Sequence, residues 1–326
     1  MRQIVLREPG KFEKLEADPP RRGSDEALVR IRRIGVCGSD FKGFAGAHPA
    51  YSYPRVLGHE MSCEVMEAPA NDHGIRAGDR CAIDPYLSCG KCRACRLDRP
   101  NCCEELRILG IQTDGGMQSF LSVPMSLLHK SKRLSFDQLA LLEPLSVGAQ
   151  AVQRSGVQRG EQVLVVGAGP IGLAVMQFAS ATGGVVRALE IQEQRRALVE
   201  KLGIEALASP DNKLADVVFD ATGSPEAMEN SFNYVAPGGR IVFAGLIKGR
   251  ISFDDWQFHR REMTVLATRG NLRHFPRIIR MIEKGEIDPR PWITDRLELG
   301  EVPQRFQELP GRQTLVKAVI EVGEPD

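Results

Sequence analysis

The chain has 326 residues, with 43 basic and 42 acidic side chains, a formal net charge of +1, 42% hydrophobic and 26% charged residues. That length exceeds what one hydrophobic core ordinarily serves, so two domains are expected of this ordinary globular composition. Balanced charge supplies no bulk field for nucleic acid or an anionic membrane; no apolar run reaches membrane-spanning length, and the one in MRQIVLREPG is too short for a signal peptide. A cytoplasmic protein without nucleic-acid or membrane partners is the expectation.

Residues 1 to about 135 read as short strands broken by Gly, Pro and Asp, among them QIVLRE, EALVRIRRIGV, SCEVMEA and DRCAIDP. Two motifs in this region carry candidate metal ligands: GVCGSD (Cys37, Ser39, Asp40) and LGHE (His59, Glu60). Glu143 in LLEPLSVG is a third. One Cys, one His and one or two carboxylates suit a catalytic Zn²⁺ that keeps a coordination position open. Singly each has a plainer reading, since a lone cysteine is usually a small buried apolar residue and a lone His or Glu a satisfied structural one. The argument rests on all three motifs occurring in order, upstream of a dinucleotide turn.

All eight cysteines fall between Cys37 and Cys103. In a reducing compartment such clustering points to metal or chemistry before disulfides. SCGKCRACRLDRPNCC places Cys89, Cys92, Cys95 and Cys103 at C-x2-C-x2-C-x7-C spacing, with Cys102 a competitor for the fourth place. Four thiolates fill a tetrahedral Zn²⁺ and leave nothing open, which makes a structural site. An iron–sulfur cluster also takes four cysteines, but the bacterial ferredoxin pattern has a shorter last gap followed by Pro; here Glu104 follows.

From about residue 139 the texture changes. DQLALLEPLSVGAQAVQRSGV has helical spacing, and QVLVVGAGPIGLAVMQFASATGG runs strand, glycine turn, helix. Gly167 can make the tight turn, Gly169 lets the backbone approach a pyrophosphate, and Gly172 lets helix pack on strand; Pro170 and Ile171 between them are counted with the cofactor-binding residues. The plainer alternative is a turn that only tightens a βα corner. Glu190 closes the next strand, VVRALE, where an acid accepts hydrogen bonds from ribose hydroxyls and repels a 2′-phosphate, favouring NAD over NADP. Further strands at DVVFDAT, RIVFAGL and TVLAT, with helices between several of them, indicate a parallel α/β sheet. Between GIEALAS and DVVFDAT only PDNKLA remains, too short for an ordinary crossover; either a helix is missing or EALA is not a full strand. HFPRIIRMIEKGEI reads as an amphipathic helix and QTLVKAVIEV as a closing strand.

Taken together, GVCGSD, YPRVLGHE, CGKCRACRLDRPNCC, DGGMQSF, LLEPLSVGAQA and VLVVGAGPIGLA resemble the zinc-dependent medium-chain dehydrogenases, and within them the sorbitol dehydrogenase-like group of polyol and sugar-acid dehydrogenases. The resemblance spans the chain. It implies an α/β protein: a GroES-like, β-rich catalytic domain over 1–143 with a zinc lobe at about 86–106, a Rossmann doubly wound parallel sheet over 144–272, and a return to the catalytic domain over 273–326. It implies two zinc ions per chain, one among Cys37, His59, Glu60 and Glu143, the other on Cys89, Cys92, Cys95 and Cys103. It further implies NAD as cofactor, a small-molecule alcohol as substrate and a homodimer or homotetramer.

The reaction it implies is hydride transfer from a secondary alcohol of a polyol or sugar acid, such as L-galactonate or L-gulonate, to NAD, giving a ketone. Ser39 would pass on the hydroxyl proton, and Arg269, in FHRREMTVLATRGNLRHFP, matches an arginine near the substrate. Lys42 departs from the pattern, because many relatives carry a histidine five residues after the zinc cysteine, at the end of a proton relay. A lysine accepts a proton there only with a lowered pKa; otherwise it binds cofactor or an anionic substrate. Lys42, Arg55 and Arg269 together suggest a carboxylate-bearing substrate, unless the arginines serve cofactor or protein acids. A plain alcohol or threonine-type dehydrogenase is the alternative within enzymes. A zinc-stapled dinucleotide-binding regulator is the alternative outside them; Lys42 and the short crossover motivate it, and the intact Cys37, Ser39, His59, Glu60 and Glu143 oppose it.

Overall fold

Between Glu26 and Gly35 every second side chain (Ala27, Val29, Ile31) is fully buried and its neighbours are half-covered, the period-two signature of a strand on a core. In Gln162–Val166, by contrast, four consecutive apolar residues are buried, as in a parallel strand covered on both faces. These two textures belong to two compact units of the computed structural model, which describes residues 1–323. One unit comprises residues 1–143, 275–284 and those from 288 onward; the other comprises 144–274 and 285–287.

The strands are β1 (Arg2–Glu8), β2 (Lys11–Glu16), β3 (Glu26–Gly35), β4 (Glu60–Glu67), β5 (Arg80–Ile83), β6 (Tyr86–Leu87), β7 (Arg107–Ile108), β8 (Phe120–Pro124), β9 (Leu128–Lys130), β10 (Gln162–Val166), β11 (Val185–Leu189), β12 (Glu205–Leu207), β13 (Ala215–Asp220), β14 (Val235–Phe243), β15 (Thr264–Ala267), β16 (Ile293–Glu298) and β17 (Lys317–Glu321). The helices used below are α1 (Gly38–Phe44), α2 (Arg93–Arg96), α3 (Phe136–Ala140), α4 (Leu142–Ser155), α5 (Pro170–Ala181), α6 (Glu193–Lys201), α7 (Pro225–Asn230), α8 (Asp255–Arg260) and α9 (Phe275–Glu283).

In the first unit a seven-stranded sheet runs β16-β17-β3-β4-β5-β9, with β8 also paired to β3. The end of the chain thus returns into this sheet, with β17 antiparallel to β3. Its core gathers Ile4, Leu6, Ile31, Ile34, Leu57 and Met61 with Leu297, Phe306 and Ile320 from the returning segment. Helix α9 buries Phe275, Ile278, Ile279, Met281 and Ile282, one apolar stripe at helical spacing. The lobe between β6 and β7 carries the clustered cysteines and the single-turn α2.

In the second unit six parallel strands lie in the order β12-β11-β10-β13-β14-β15. The chain steps outward on one side of β10 and then returns to its other side, which defines a topological switch point at β10/β13 where such sheets bind ligands. The short crossover resolves on both counts: EALA forms only the three-residue β12, and no helix links β12 to β13. Arg187 in β11, almost wholly buried, secures the abbreviated link by donating to Asp211 Oδ2 at 2.6 Å and to the Lys213 carbonyl at 3.1 Å. The helical stretch from 136 is two helices, α3 and α4, separated at Leu141. α4 packs closely against α5, since a Cβ at Gly148 would lie 2.5 Å from that of Ala174.

Candidate active site

Helix α1 begins where β3 ends and positions three polar side chains by its own start. Cys37 precedes the helix, and its backbone N–H donates to Asp40 Oδ2 at 2.9 Å. Asp40 is fully buried. Its Oδ1 accepts from the Tyr51 hydroxyl at 3.4 Å and lies 3.5 Å from His59 Nδ1. Ser39 Oγ lies 3.3 Å from His59 Nε2. Desolvation works against charge on the His59 ring, yet the Asp40 carboxylate raises its pKa well above the ordinary 6.5.

Glu60 opens β4 with no exposed surface, and its carboxylate occupies the space over Gly35, where a Cβ would sit 1.9 Å from Oε2. Lys317 of β17 reaches in from the other end of the chain. Its ammonium donates to both Glu60 oxygens at 2.8 Å and to the Val36 carbonyl at 3.0 Å, so all three of its protons are used. Burial opposes charge on Lys317, and the Glu60 carboxylate outweighs it, leaving the pKa raised.

The ligand atoms of Cys37, His59 and Glu60 lie within 4.8 Å of one another. A thiol, an imidazole and a carboxylate form the donor set of a zinc site with one open position, and all three side chains are buried or half-buried. The residues therefore fit the ion. Glu143, buried at the start of α4, stands beside this group without joining its set of donor atoms. Burial pushes its carboxyl up to about 7; His59 and Lys317 pull the other way.

Cys89, Cys92, Cys95 and Cys103 form a second such group, with sulfur atoms also within 4.8 Å of one another, and exposed Cys102 is not among them. Backbone N–H groups of Cys92 and Cys89 point at the sulfurs of Cys89 and Cys103, each at 3.3 Å. Backbone hydrogen bonds, that of Glu104 first, lower the Cys92 thiol to about 6. Four converging thiols with amide N–H groups turned toward sulfur fit a closed, structural zinc.

In the second unit the glycine turn follows β10. Gly167 has φ of +93°, and a Cβ at Gly172 would lie 1.9 Å from the Gly167 carbonyl oxygen, whereas one at Gly169 would meet nothing within 4 Å. Gly169 thus presents bare backbone at the start of α5, with Pro170 and Ile171 in its first turn. Glu190 is almost fully buried; one carboxylate oxygen accepts from Ala168 N at 2.7 Å and the other from Gln192 N at 2.8 Å. The acid therefore braces the turn through both of its carboxylate oxygens.

Lys42 is exposed in the last turn of α1, and Arg269 is exposed just past β15 in the second unit. Arg55 is committed to protein groups, donating to Asp114 Oδ1 and Ser52 Oγ at 2.9 Å each. Sequence reasoning missed Lys317, although a lysine inside the apolar run LVKAVI is the signal of a buried, paired charge. It also missed the brace made by Tyr51, and His48 beside it.

Residues 23–133 match the alcohol dehydrogenase GroES-like domain family and residues 170–284 the zinc-binding dehydrogenase family. The chain is 34% identical over 335 residues to the L-galactonate-5-dehydrogenase of Escherichia coli K12, covering 98% of each. Among solved structures it resembles an alcohol dehydrogenase of E. coli CFT073 complexed with NADH, at 25% identity and a TM-score of 0.92 over 98% of this chain and 99% of that one. It also resembles a zinc-binding dehydrogenase of Sinorhizobium meliloti 1021 bound to NADP, at 28% identity and a TM-score of 0.89 over 98% of each. The chain belongs to the zinc-dependent medium-chain dehydrogenases and is an oxidoreductase of that family.

Proposed function

We propose that this enzyme oxidises a secondary hydroxyl of a sugar acid or polyol to a ketone with NAD⁺ as hydride acceptor, holding two zinc ions per chain. The observation that carries this reading is the convergence of Cys37, His59 and Glu60, steadied by Asp40 and Lys317. Zinc bound there would act as a Lewis acid on the substrate oxygen and lower the hydroxyl pKa. Cys37 and His59 would hold it, with Glu60 and Glu143 as adjustable carboxylates. Ser39 Oγ, beside the His59 ring, takes the hydroxyl proton onward. Arg269 is assigned to the substrate.

Gly167, Gly169, Pro170, Ile171 and Gly172 would receive the cofactor pyrophosphate. Glu190 is fixed as an acceptor by two backbone N–H groups, which leaves a negative charge set against a 2′-phosphate and supports NAD over NADP. The Cys89, Cys92, Cys95 and Cys103 site would hold the lobe. Self-association into dimers or tetramers is supported by β15, an edge strand whose Thr264, Val265 and Ala267 are exposed. No helix among the described residues is long and apolar enough to cross a membrane, in keeping with the cytoplasm as its location.

The likeness to an L-galactonate dehydrogenase supports a hexonate substrate. The test is a panel of hexonates, hexitols and simple alcohols with NAD⁺ and NADP⁺, followed by NADH absorbance. Hexonate or hexitol oxidation with NAD⁺ is expected; turnover confined to simple alcohols would refute the substrate assignment.

A further inference from the structure

The loop after α1 folds back onto that helix. Ala47 N donates to the Lys42 carbonyl at 2.8 Å, the Tyr53 hydroxyl donates to the Gly43 carbonyl at 2.5 Å, and Tyr51 N donates to the His48 carbonyl at 3.3 Å. The Tyr51 ring lies so close to Gly43 that a Cβ there would sit 2.8 Å from it. His48 packs against the same Tyr51 ring edge to face, with ring centroids 5.0 Å apart. The Tyr51 hydroxyl reaches Asp40, which abuts His59, so His48 is joined to the candidate metal ligand His59 through Tyr51 and Asp40.

The tautomer of His48 follows from its one hydrogen bond. Ala50 N–H donates to Nδ1 at 3.2 Å, so Nδ1 holds a lone pair and the neutral ring carries its proton on Nε2. Nε2 has no partner among the described residues. A second proton could enter only at Nδ1, against the Ala50 N–H. Burial, then Lys42 and His59, lowers the His48 pKa, with Asp40 alone opposing. At neutral pH this side chain is therefore a hydrogen-bond donor and not a base, so it does not stand in for the relay histidine that Lys42 replaces. What it can bind is an acceptor oxygen, and Lys42 adds a positive charge on the same loop–helix unit.

We propose that His48 Nε2–H and the Lys42 ammonium form a donor rim that binds the carboxylate of a polyhydroxy acid and makes the enzyme selective for sugar acids over the corresponding neutral polyols. This rests on the dehydrogenase reading above and deepens it. A carboxylate meets the two donors with two oxygens and a full negative charge; a hydroxyl offers them a single neutral oxygen.

The experiment compares wild type with His48→Leu, His48→Gln and Lys42→Met, each loaded with zinc, on L-galactonate and galactitol with NAD⁺. Calorimetry measures L-galactonate binding to the enzyme–NADH complex, where nothing turns over. For His48→Leu the ratio of kcat/KM for hexonate over hexitol falls about tenfold, the size of one hydrogen bond to a charged group. The fall is carried by KM and matched by weaker calorimetric binding. Lys42→Met lowers the same ratio, and His48→Gln, whose amide also donates, recovers most of it. Equal losses on both substrates, or a fall in kcat with a changed pH profile, would overturn the rim. Should wild type reduce NAD⁺ with no alcohol, the dehydrogenase reading fails separately. The rim then stands if hexonate binds wild type more tightly than His48→Leu, and falls if it binds both alike or neither.

Discussion

Glu60 is a carboxylate with no exposed surface, and Lys317 satisfies both of its oxygens. Removing one partner of such a pair leaves the other buried and unpaired. Lys317→Met should therefore destabilise the chain by about 3–5 kcal/mol, and adding Glu60→Gln should recover a large part of it. Urea unfolding measures this, and equal stability of the single and double variants would refute the pairing account. Glu190 braces the glycine turn and, in the proposed function, also meets the cofactor ribose. Glu190→Ala should weaken NAD⁺ binding and relax discrimination against NADP⁺; it should also lower the Tm, because Ala168 and Gln192 lose their acceptor. An unchanged cofactor preference would remove the ribose role. Cys37, His59 and Glu60 were legible in the sequence as candidates, because few residue types bind zinc. Lys317 and His48 were not, because their roles depend on partners that only the folded chain supplies, for Lys317 one that is 257 positions away.

Among the elements, the glycine turn was readable from spacing alone, since strand, turn and helix are local. Its tightest position is Gly172, where any side chain would strike the Gly167 carbonyl. Gly172→Ala should shift α5 off β10 and reduce NAD⁺ affinity at least tenfold, as followed by NADH fluorescence; wild-type affinity would contradict that packing. The β12–β13 link was legible only as an anomaly. Counting residues left a missing helix or a truncated strand as the alternatives, and gave no sign that buried Arg187 would anchor the link. The boundary between α3 and α4 was invisible, because apolar periodicity runs unbroken through LALLEPL while the Leu141 backbone ends the first helix. In the zinc lobe, Cys92→Ser should release one zinc and loosen the lobe while Cys37, His59 and Glu60 keep theirs; a folded lobe with full zinc content would refute the structural assignment.

For the whole molecule, the return of the chain into the first sheet shapes both stability and chemistry. His129 of β9 lies edge to face with Phe275 of α9, and burial lowers its pKa to about 4. A histidine whose folded pKa lies below its unfolded 6.5 stabilises the fold above that value and loses this contribution as pH falls toward 4. The contribution amounts to about 3 kcal/mol when complete. Buried Asp84, pushed up to about 7, acts in the opposite sense, losing stability as pH rises, so the difference between wild type and His129→Gln is the quantity to follow. That difference should shrink from pH 6.5 to pH 4; a constant offset would mean that His129 does not titrate with folding. A change of pattern near residue 140 pointed to two units and the family resemblance to the re-entry of the chain, whereas the use of β17 to supply the counter-charge of Glu60 required the assembled sheet. The central claim, that Cys37 helps hold a zinc ion without which no substrate is oxidised, is tested most directly by zinc content and NADH production for wild type and Cys37→Ser. The account predicts two zinc ions per chain and turnover in the first, one ion and no turnover in the second. A Cys37→Ser protein that keeps both ions and its activity would contradict it.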